Sequence, residues 1–517
     1  MRKITILWAD DEIDLLKPHI IFLENKGYSV LIATNGNDAL KVAAKETIDI
    51  VFLDENMPGR SGLEIVVDLK QIMPNVPVVM ITKSEEENIM EQAIGSKIAD
   101  YLIKPVNPNQ ILLTLKKNLD HVKLVSQKIT ADFRSEFSKL GLAINTASNF
   151  SDWVDVYRKI VFWELEMDNA NPEMEEVLKF QKVEANKEFA KYIRNHYVSW
   201  FRADSKDKPL LSPSVMRNRV FPLLEQNHKV AFILIDNLRF DHWQTLAKVL
   251  NTFCSIESDD LYCSILPTAT QYARNALFAG LMPLEIEKIY PKLWTDEDVE
   301  DESKNNFEED LLNRQISRLG KKVSLVYEKV QNEKYAKKLV DNFSNMKNND
   351  LIAVVYNFVD ALSHARTDVG MIRELADNEA AYRSLVLSWF QHSQLLEFIK
   401  LCIENNMKVV ITTDHGTVRV FNPIKIVGDK ATSANLRYKM GRNLNYNPKE
   451  VFEARKPADI HLPALNISSS YVFAMNADFL VYPNNYNHYA NYYRNTFQHG
   501  GISLEEMIIP FAVLSPK

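Results

Sequence analysis

Thr412-Thr413-Asp414-His415-Gly416 follows a short apolar run, residues 409–411, with the composition of a buried strand. A strand end that delivers a carboxylate and an imidazole side by side offers a natural pair of zinc ligands. Alone the pair is a weak signal, because core and surface Asp-His pairs are common. Its weight comes from the matching pieces that stand upstream and downstream, in order and in suitable contexts.

At 517 residues the chain is too long for one core and predicts about three domains. A hydrophobic fraction of 46% and a charged fraction of 25% are those of an ordinary globular protein. The formal net charge of -7 argues against a duplex-DNA binder that works by broad phosphate neutralisation. Cys254, Cys263 and Cys402 have neither metal spacing nor an even disulfide framework, which predicts a reducing compartment. The apolar run after Met1-Arg2-Lys3 stops at Asp10 and Asp11, too soon for a signal peptide, and no apolar stretch approaches membrane-spanning length. A cytoplasmic location without membrane insertion is expected.

Three segments differ in pattern. Residues 1–120 alternate apolar runs (4–9, 30–33, 48–53, 76–81, 99–103) with amphipathic stretches such as 13–26 and 62–72, which predicts a doubly wound parallel sheet. Residues 121–205 read as a small helical bundle rich in Lys, Glu and aromatics, with a break at Asn171-Pro172. Its aromatic stripe, including Phe162 and Phe180, reads as core. Residues 206–517 return to strand-like runs (230–235, 323–327, 351–358, 409–413, 470–475, 508–514) and predict a second, larger α/β domain. The acidic patch 296–309 reads as a solvated loop or cap without chemistry.

In the first segment Asp10 and Asp11 end the first expected strand and Asp54 ends the third. In a sheet ordered 2-1-3-4-5 those strands are neighbours at the topological switch point, where ligands bind. Crowded carboxylates call for a hard cation, and Mg2+ suits oxygen ligands with open positions for a phosphoryl group. Thr82 and Lys104 end strands four and five, as a hydroxyl donor and a cation, and Pro105 points to a tight turn that can hold a cis bond. These residues, with Leu53-Asp54-Glu55-Asn56-Met57-Pro58-Gly59 and Tyr101-Leu102-Ile103-Lys104-Pro105, resemble the receiver domain of two-component response regulators. The resemblance implies a flavodoxin-like fold and phosphorylation of Asp54 by a sensor histidine kinase. It also implies Mg2+ held by Asp10, Asp11, Asp54 and the Asn56 carbonyl, with Thr82, Tyr101 and Lys104 as switch residues. Dimerisation through the fourth-helix to fifth-strand face follows from the same likeness.

In the third segment Asp236 ends the run 230–235, Thr268 and Thr270 precede a helical stretch closed by Gly280, and Asp360 and His364 follow the run 351–358. Asp414-His415 and then Gln498-His499-Gly500-Gly501 come next. Asp360 and His364, four apart, share one face of a helix and can hold one ion. A Thr at a helix N-terminus faces N–H groups that favour an anion. Two ions about 3.5–4 Å apart can ionise that hydroxyl and clamp an in-line phosphoryl displacement. A nitrogen and oxygen donor set suits Zn2+ best and Mn2+ next. The order and spacing resemble the alkaline phosphatase superfamily, in particular its nucleotide pyrophosphatase/phosphodiesterase branch and PglZ-type domains. That likeness implies two Zn2+: one on Asp360, His364 and His499, the other on Asp236, Asp414, His415 and the nucleophile Thr270. Ala273 stands where that branch places a phosphate-binding Asn, so Arg274 and Asn275 become candidates for the contact. His242 reads as a surface or capping group.

Residues 425–456 are locally basic, with Arg437 and Arg442 among Asn and Tyr side chains. They read either as a solvated loop or as a channel for a phosphate-rich substrate. Over its whole length the chain resembles the PorX response regulators. That resemblance implies a PorY-like kinase as phosphodonor, no duplex DNA-binding module, and a role in type IX secretion. Two functions remain: a phosphorylation-controlled zinc phosphodiesterase acting on nucleotides or oligonucleotides, or a zinc-stabilised effector. The effector would dimerise on phosphorylation and bind an ECF-type sigma factor or a secretion component.

Overall fold

The computed structural model describes residues 3–517 except 75, 84–97, 168–171, 203–204, 206, 296–304, 369–377 and 430–432. The chain divides into two compact units, Met1–Arg134 and Ser135–Lys517.

In the first unit β1 (Thr5–Ala9), β2 (Ser29–Ala33), β3 (Ile50–Asp54), β4 (Val78–Thr82) and β5 (Asp100–Ile103) form one parallel sheet ordered β2-β1-β3-β4-β5. β3 and β4 are buried along their whole length, which explains their unbroken apolar reading. Alternate residues feed the two faces: Leu7, Val51, Leu53 and Met80 on one, Ile6, Trp8, Phe52 and Ile81 on the other. The register Ala9↔Leu53 brings Asp10 level with Asp54. Expected strand ends agree to within about two residues, the ordinary error of pattern reading. The fourth-helix part of the expected dimer face lies outside the described residues.

In the second unit the helices Phe150–Met167 and Pro172–His196 bury Trp153, Tyr157, Phe189 and Tyr192. Phe162 and Phe180 depart from the expected core stripe, being 54% and 72% exposed. These helices share a unit with a mixed six-stranded sheet. Its members are β6 (Val230–Ile235), β7 (Cys254–Cys263), β8 (Leu325–Val330), β9 (Leu351–Tyr356), β10 (Lys408–Thr412) and the C-terminal strand Ile508–Pro516. The order is β7, C-terminal strand, β10, β6, β9, β8. The last four are parallel, and the C-terminal strand runs antiparallel to both its neighbours. β7 is absent from the sequence reading. The run 470–475 instead joins a small three-stranded sheet with Tyr438–Gly441 and Val451–Ala454.

The bundle docks directly on the turn that precedes the C-terminal strand. Asn186 accepts the Leu504 N–H (2.8 Å) and donates to Glu505 (3.1 Å), while Lys182 bridges Glu505 and Glu164 at 2.9 Å each. Among the described residues no helix is long and apolar enough to cross a membrane.

Candidate metal centre and active site

The sheet register assembles the larger site. Thr412 lies opposite Leu234, so Asp414 emerges level with Asp236 from adjacent parallel strands. β9 then leads into the helix Phe358–Asp368, which carries Asp360 and His364 one turn apart. Asp236, Asp414 and His415 form one cluster of potential ligands, and Asp360, His364 and His499 form another. The clusters adjoin: His415 and His499 stack with ring centroids 4.3 Å apart, and Thr270 Oγ1 lies 3.1 Å from His415 Nε2. Thr270 is the first residue of the helix Thr270–Ala279, and a helix N-terminus favours an anion. Thr268 is buried and committed to the backbone, donating to the Gly501 carbonyl (2.8 Å) and accepting the Gly500 N–H (3.1 Å). All seven residues expected at this site therefore converge, and Thr270 rather than Thr268 has the available hydroxyl.

The donor set fits divalent ions. His415 Nδ1 is 3.1 Å from the Gly416 carbonyl, and His499 Nδ1 is 3.3 Å from the Thr268 carbonyl. A carbonyl only accepts, so each Nδ1 carries the proton and each Nε2 keeps a lone pair for a metal. The Nε2 atoms lie 3.7 Å from Asp236 and from Asp360 respectively. Asp236 Oδ1 is buried and makes no hydrogen bond. Burial drives the Asp236 carboxyl well above its ordinary range, against Arg274, with Asp414 and Asp360 adding to the rise. A bound cation is the species that reverses such a shift. Burial also opposes ionisation of Asp360, yet its hydrogen bond with His364 holds the carboxyl low. Burial, aided by His415, pushes His499 down to about 3, so its imidazole is neutral.

Arg274 and Arg437 do not take the substrate-contact roles expected of them. Arg274 is 1% exposed and turns inward. It pairs with Asp236, holds Asp414 through Nε (2.9 Å) and reaches Glu308 through Nη1 (3.2 Å). Glu308 belongs to the patch read as solvated, but it is 1% exposed and also binds Lys329 (3.0 Å) and Tyr327. Asn275 is buried in the same helix as Arg274. Arg437 is fully buried in a two-point pair with Glu506 (3.1 and 2.6 Å). Lys439 is buried as well and donates to the Ser433 and Ala434 carbonyls. The basic stretch is thus partly internal scaffolding, with Arg442 exposed at its surface. His242 is buried edge-on to Tyr382 and is not a surface cap.

Three supporting residues, Asn237, Thr413 and Gly416, have no role in the sequence reading. Asn237 sits at φ 64° and donates to Asp360 (3.2 Å), and its place behind Asp236 at a strand end was the available signal. The Thr413 hydroxyl accepts the Leu238 N–H (3.1 Å) and donates to the His415 carbonyl (2.9 Å), tying the two ligand loops together. Gly416 has no substitute, because a Cβ there would lie 2.0 Å from the Glu505 carbonyl oxygen.

In the receiver unit Asp10, Asp11 and Asp54 form a third cluster. Lys104 Nζ lies 2.8 Å from Asp10 and 2.9 Å from Asp54, and the Lys104–Pro105 bond is cis. Burial raises the Asp54 carboxyl, Lys104 opposes the rise, and Asp10 adds to it. The Thr82 hydroxyl donates to Glu55, Asn56 is exposed, and Tyr101 is half-buried against the core.

Comparison with known proteins matches residues 6–116 to the response regulator receiver domain and 123–201 to the PorX response regulator linker domain. Residues 215–514 match the BREX system PglZ alkaline phosphatase-like domain. The transcriptional regulatory protein ZraR of Klebsiella oxytoca is 30% identical over 140 residues, 27% of this chain and 32% of that protein. The phosphate regulon transcriptional regulatory protein PhoB of Pseudomonas aeruginosa is 33% identical over 114 residues, 22% of this chain and 50% of that protein. The chain therefore spans a third to a half of the length of these relatives. Among solved structures, a CheY-like receiver domain protein from Methanospirillum hungatei covers 23% of this chain and 96% of its own, at 26% identity and a TM-score of 0.23.

Proposed function

Since the chain belongs to the PglZ alkaline phosphatase-like family and has the architecture of PorX-type response regulators, we propose that it is a phosphorylation-controlled, metal-dependent phosphodiesterase. The observation that carries this reading is the Thr270 hydroxyl beside His415, at the junction of two carboxylate-imidazole clusters. Asp360, His364 and His499 would hold one Zn2+, and Asp236, Asp414, His415 and Thr270 the other. When bound, such ions favour the ionised hydroxyl and offset the charge of the transferring phosphoryl group.

The chain's own residues do the rest. Thr270 Oγ1 forms a bond to phosphorus as the bond to the leaving alcohol breaks, and the helix N-terminus faces the phosphoryl oxygens. Water then cleaves the phosphothreonine, restoring the hydroxyl and releasing a monoester. A nucleotide or oligonucleotide diester is the substrate class in this reading.

Asp54 would accept phosphate from a sensor histidine kinase of the PorY type, with Mg2+ on Asp10, Asp11, Asp54 and the Asn56 carbonyl. Thr82 and Lys104 would then pair with the phosphoryl group, Tyr101 would follow, and the receiver would dimerise. The likeness to PorX regulators supports an output in type IX secretion and a cytoplasmic location.

The second reading is an effector that acts by binding a sigma factor or secretion component. It is favoured by Ala273 standing in the helix that begins at Thr270, with Arg274 occupied by carboxylates. Thr270→Val separates the two. With zinc present, hydrolysis of bis-(p-nitrophenyl) phosphate is expected to fall at least a thousandfold while the zinc of the Asp360-His364-His499 cluster is retained. Retention of more than a tenth of the wild-type rate rejects Thr270 as nucleophile.

A further inference from the structure

Arg274 carries charge of the same sign as the ion its neighbours would receive. Its guanidinium engages Asp236 and Asp414 from one side, and Glu308 anchors it from the other. Glu308 is itself fixed by Lys329 and Tyr327, so the arginine is built into the fold and is not a loose surface chain. The oxygens left for a metal are few. Asp414 gives Oδ2 to Arg274 Nε and Oδ1 to the His415 N–H (3.1 Å). Asp236 gives Oδ2 to Arg274 and keeps Oδ1 uncommitted. The neighbouring cluster differs. Among the described residues Asp360 accepts the Asn237 amide and lies 3.4 Å from His364 and 3.7 Å from His499, and His364 is 62% exposed. Among the described residues no guanidinium pairs with Asp360, so none of them is displaced by a metal entering there.

We propose that Arg274 is a resident counter-ion competing with metal at the Asp236-Asp414-His415 cluster, so that the two sites fill in order. The Asp360-His364-His499 site fills first and tightly; the site beside Arg274 fills second and weakly. This rests on reading both clusters as metal sites. The arginine satisfies two buried carboxylates that would otherwise repel each other at close range. The metal-free site is thereby held in shape, and its second ion comes at the expense of a charge-assisted pair. The ion nearer Thr270 is the contested one, which makes free metal concentration a determinant of turnover.

The test is zinc titration of the full-length, chelator-stripped protein by calorimetry, with a competing chelator for the tight step. Wild type is expected to bind in two resolved steps. Arg274→Gln should tighten the second step tenfold or more and leave the first unchanged, while Arg274→Lys keeps a weak second step. Glu308 retains Lys329 and Tyr327 in these variants, so its charge is not stranded.

Should Arg274→Gln fail to fold, two variants decide the matter in the wild-type background. His499→Ala should leave only a weak step, and His415→Ala only a tight one. An unchanged or abolished second step in folded Arg274→Gln, or the reverse pattern in the two histidine variants, overturns the ordering. A wild-type protein that takes up no zinc overturns the metal reading itself, and the ordering with it.

Discussion

Arg437→Met isolates the contribution of the internal scaffold to the metal centre. Arg437 grips both oxygens of Glu506 and also donates to the Asp478 carbonyl, with no exposed surface on either partner. Glu506 in turn accepts the Gly501 N–H (2.9 Å) and the Ser503 hydroxyl (2.7 Å), which fixes the turn just after His499. Removing the guanidinium strands a buried carboxylate, which costs about 3–5 kcal/mol for a broken buried pair. Replacing both partners with apolar groups should recover much of that loss, because the stranded charge is gone. Urea unfolding followed by tryptophan fluorescence gives the two singles, the double Arg437→Met/Glu506→Met, and hence the coupling. Zinc measured on the same samples should show the His499 cluster depleted in the single variant. A cost below about 1 kcal/mol for Arg437→Met, or strictly additive singles, would refute the argument that this pair holds the loop.

Further outcomes concern the receiver and the core. Asp54→Asn should abolish the acid-stable, hydroxylamine-labile phosphorylation produced by acetyl phosphate, and label persisting on the variant would move the acceptor elsewhere. His242 is buried with neither ring nitrogen hydrogen-bonded, and burial pushes it down to about 3. Above about pH 6.5 neither state is protonated. Below that pH the unfolded chain binds a proton that the folded chain refuses, so stability falls as pH drops. Between pH 7 and 5 the loss attributable to His242 is about 2 kcal/mol. His242→Leu should remove that part of the slope in paired urea titrations, and identical slopes would contradict it.

Much of the fold is legible in the chain because parallel strands buried on both faces leave unbroken apolar runs, as at Val230–Ile235 and Leu351–Tyr356. β7 is not legible, since Cys254–Cys263 is an edge strand whose centre, Glu257-Ser258-Asp259-Asp260, is polar. The grouping of the candidate ligands is readable because strand ends and a helical i, i+4 pair fix which side chains meet. What stays hidden is the commitment of charge. Arg437, Lys439, Arg274 and Glu308 look like surface residues until their partners, from 5 to 140 positions away, are brought beside them. Local composition cannot report a pairing that only tertiary structure creates.

The central claim is that six acidic and imidazole side chains form two zinc sites around Thr270. Metal analysis of chelator-stripped, zinc-reconstituted protein tests it most directly. Two zinc ions per chain are expected in wild type, and one in a double variant His364→Ala/His499→Ala or in Asp236→Asn/His415→Ala. A wild-type chain that retains no zinc, or variants that keep both ions, would contradict it.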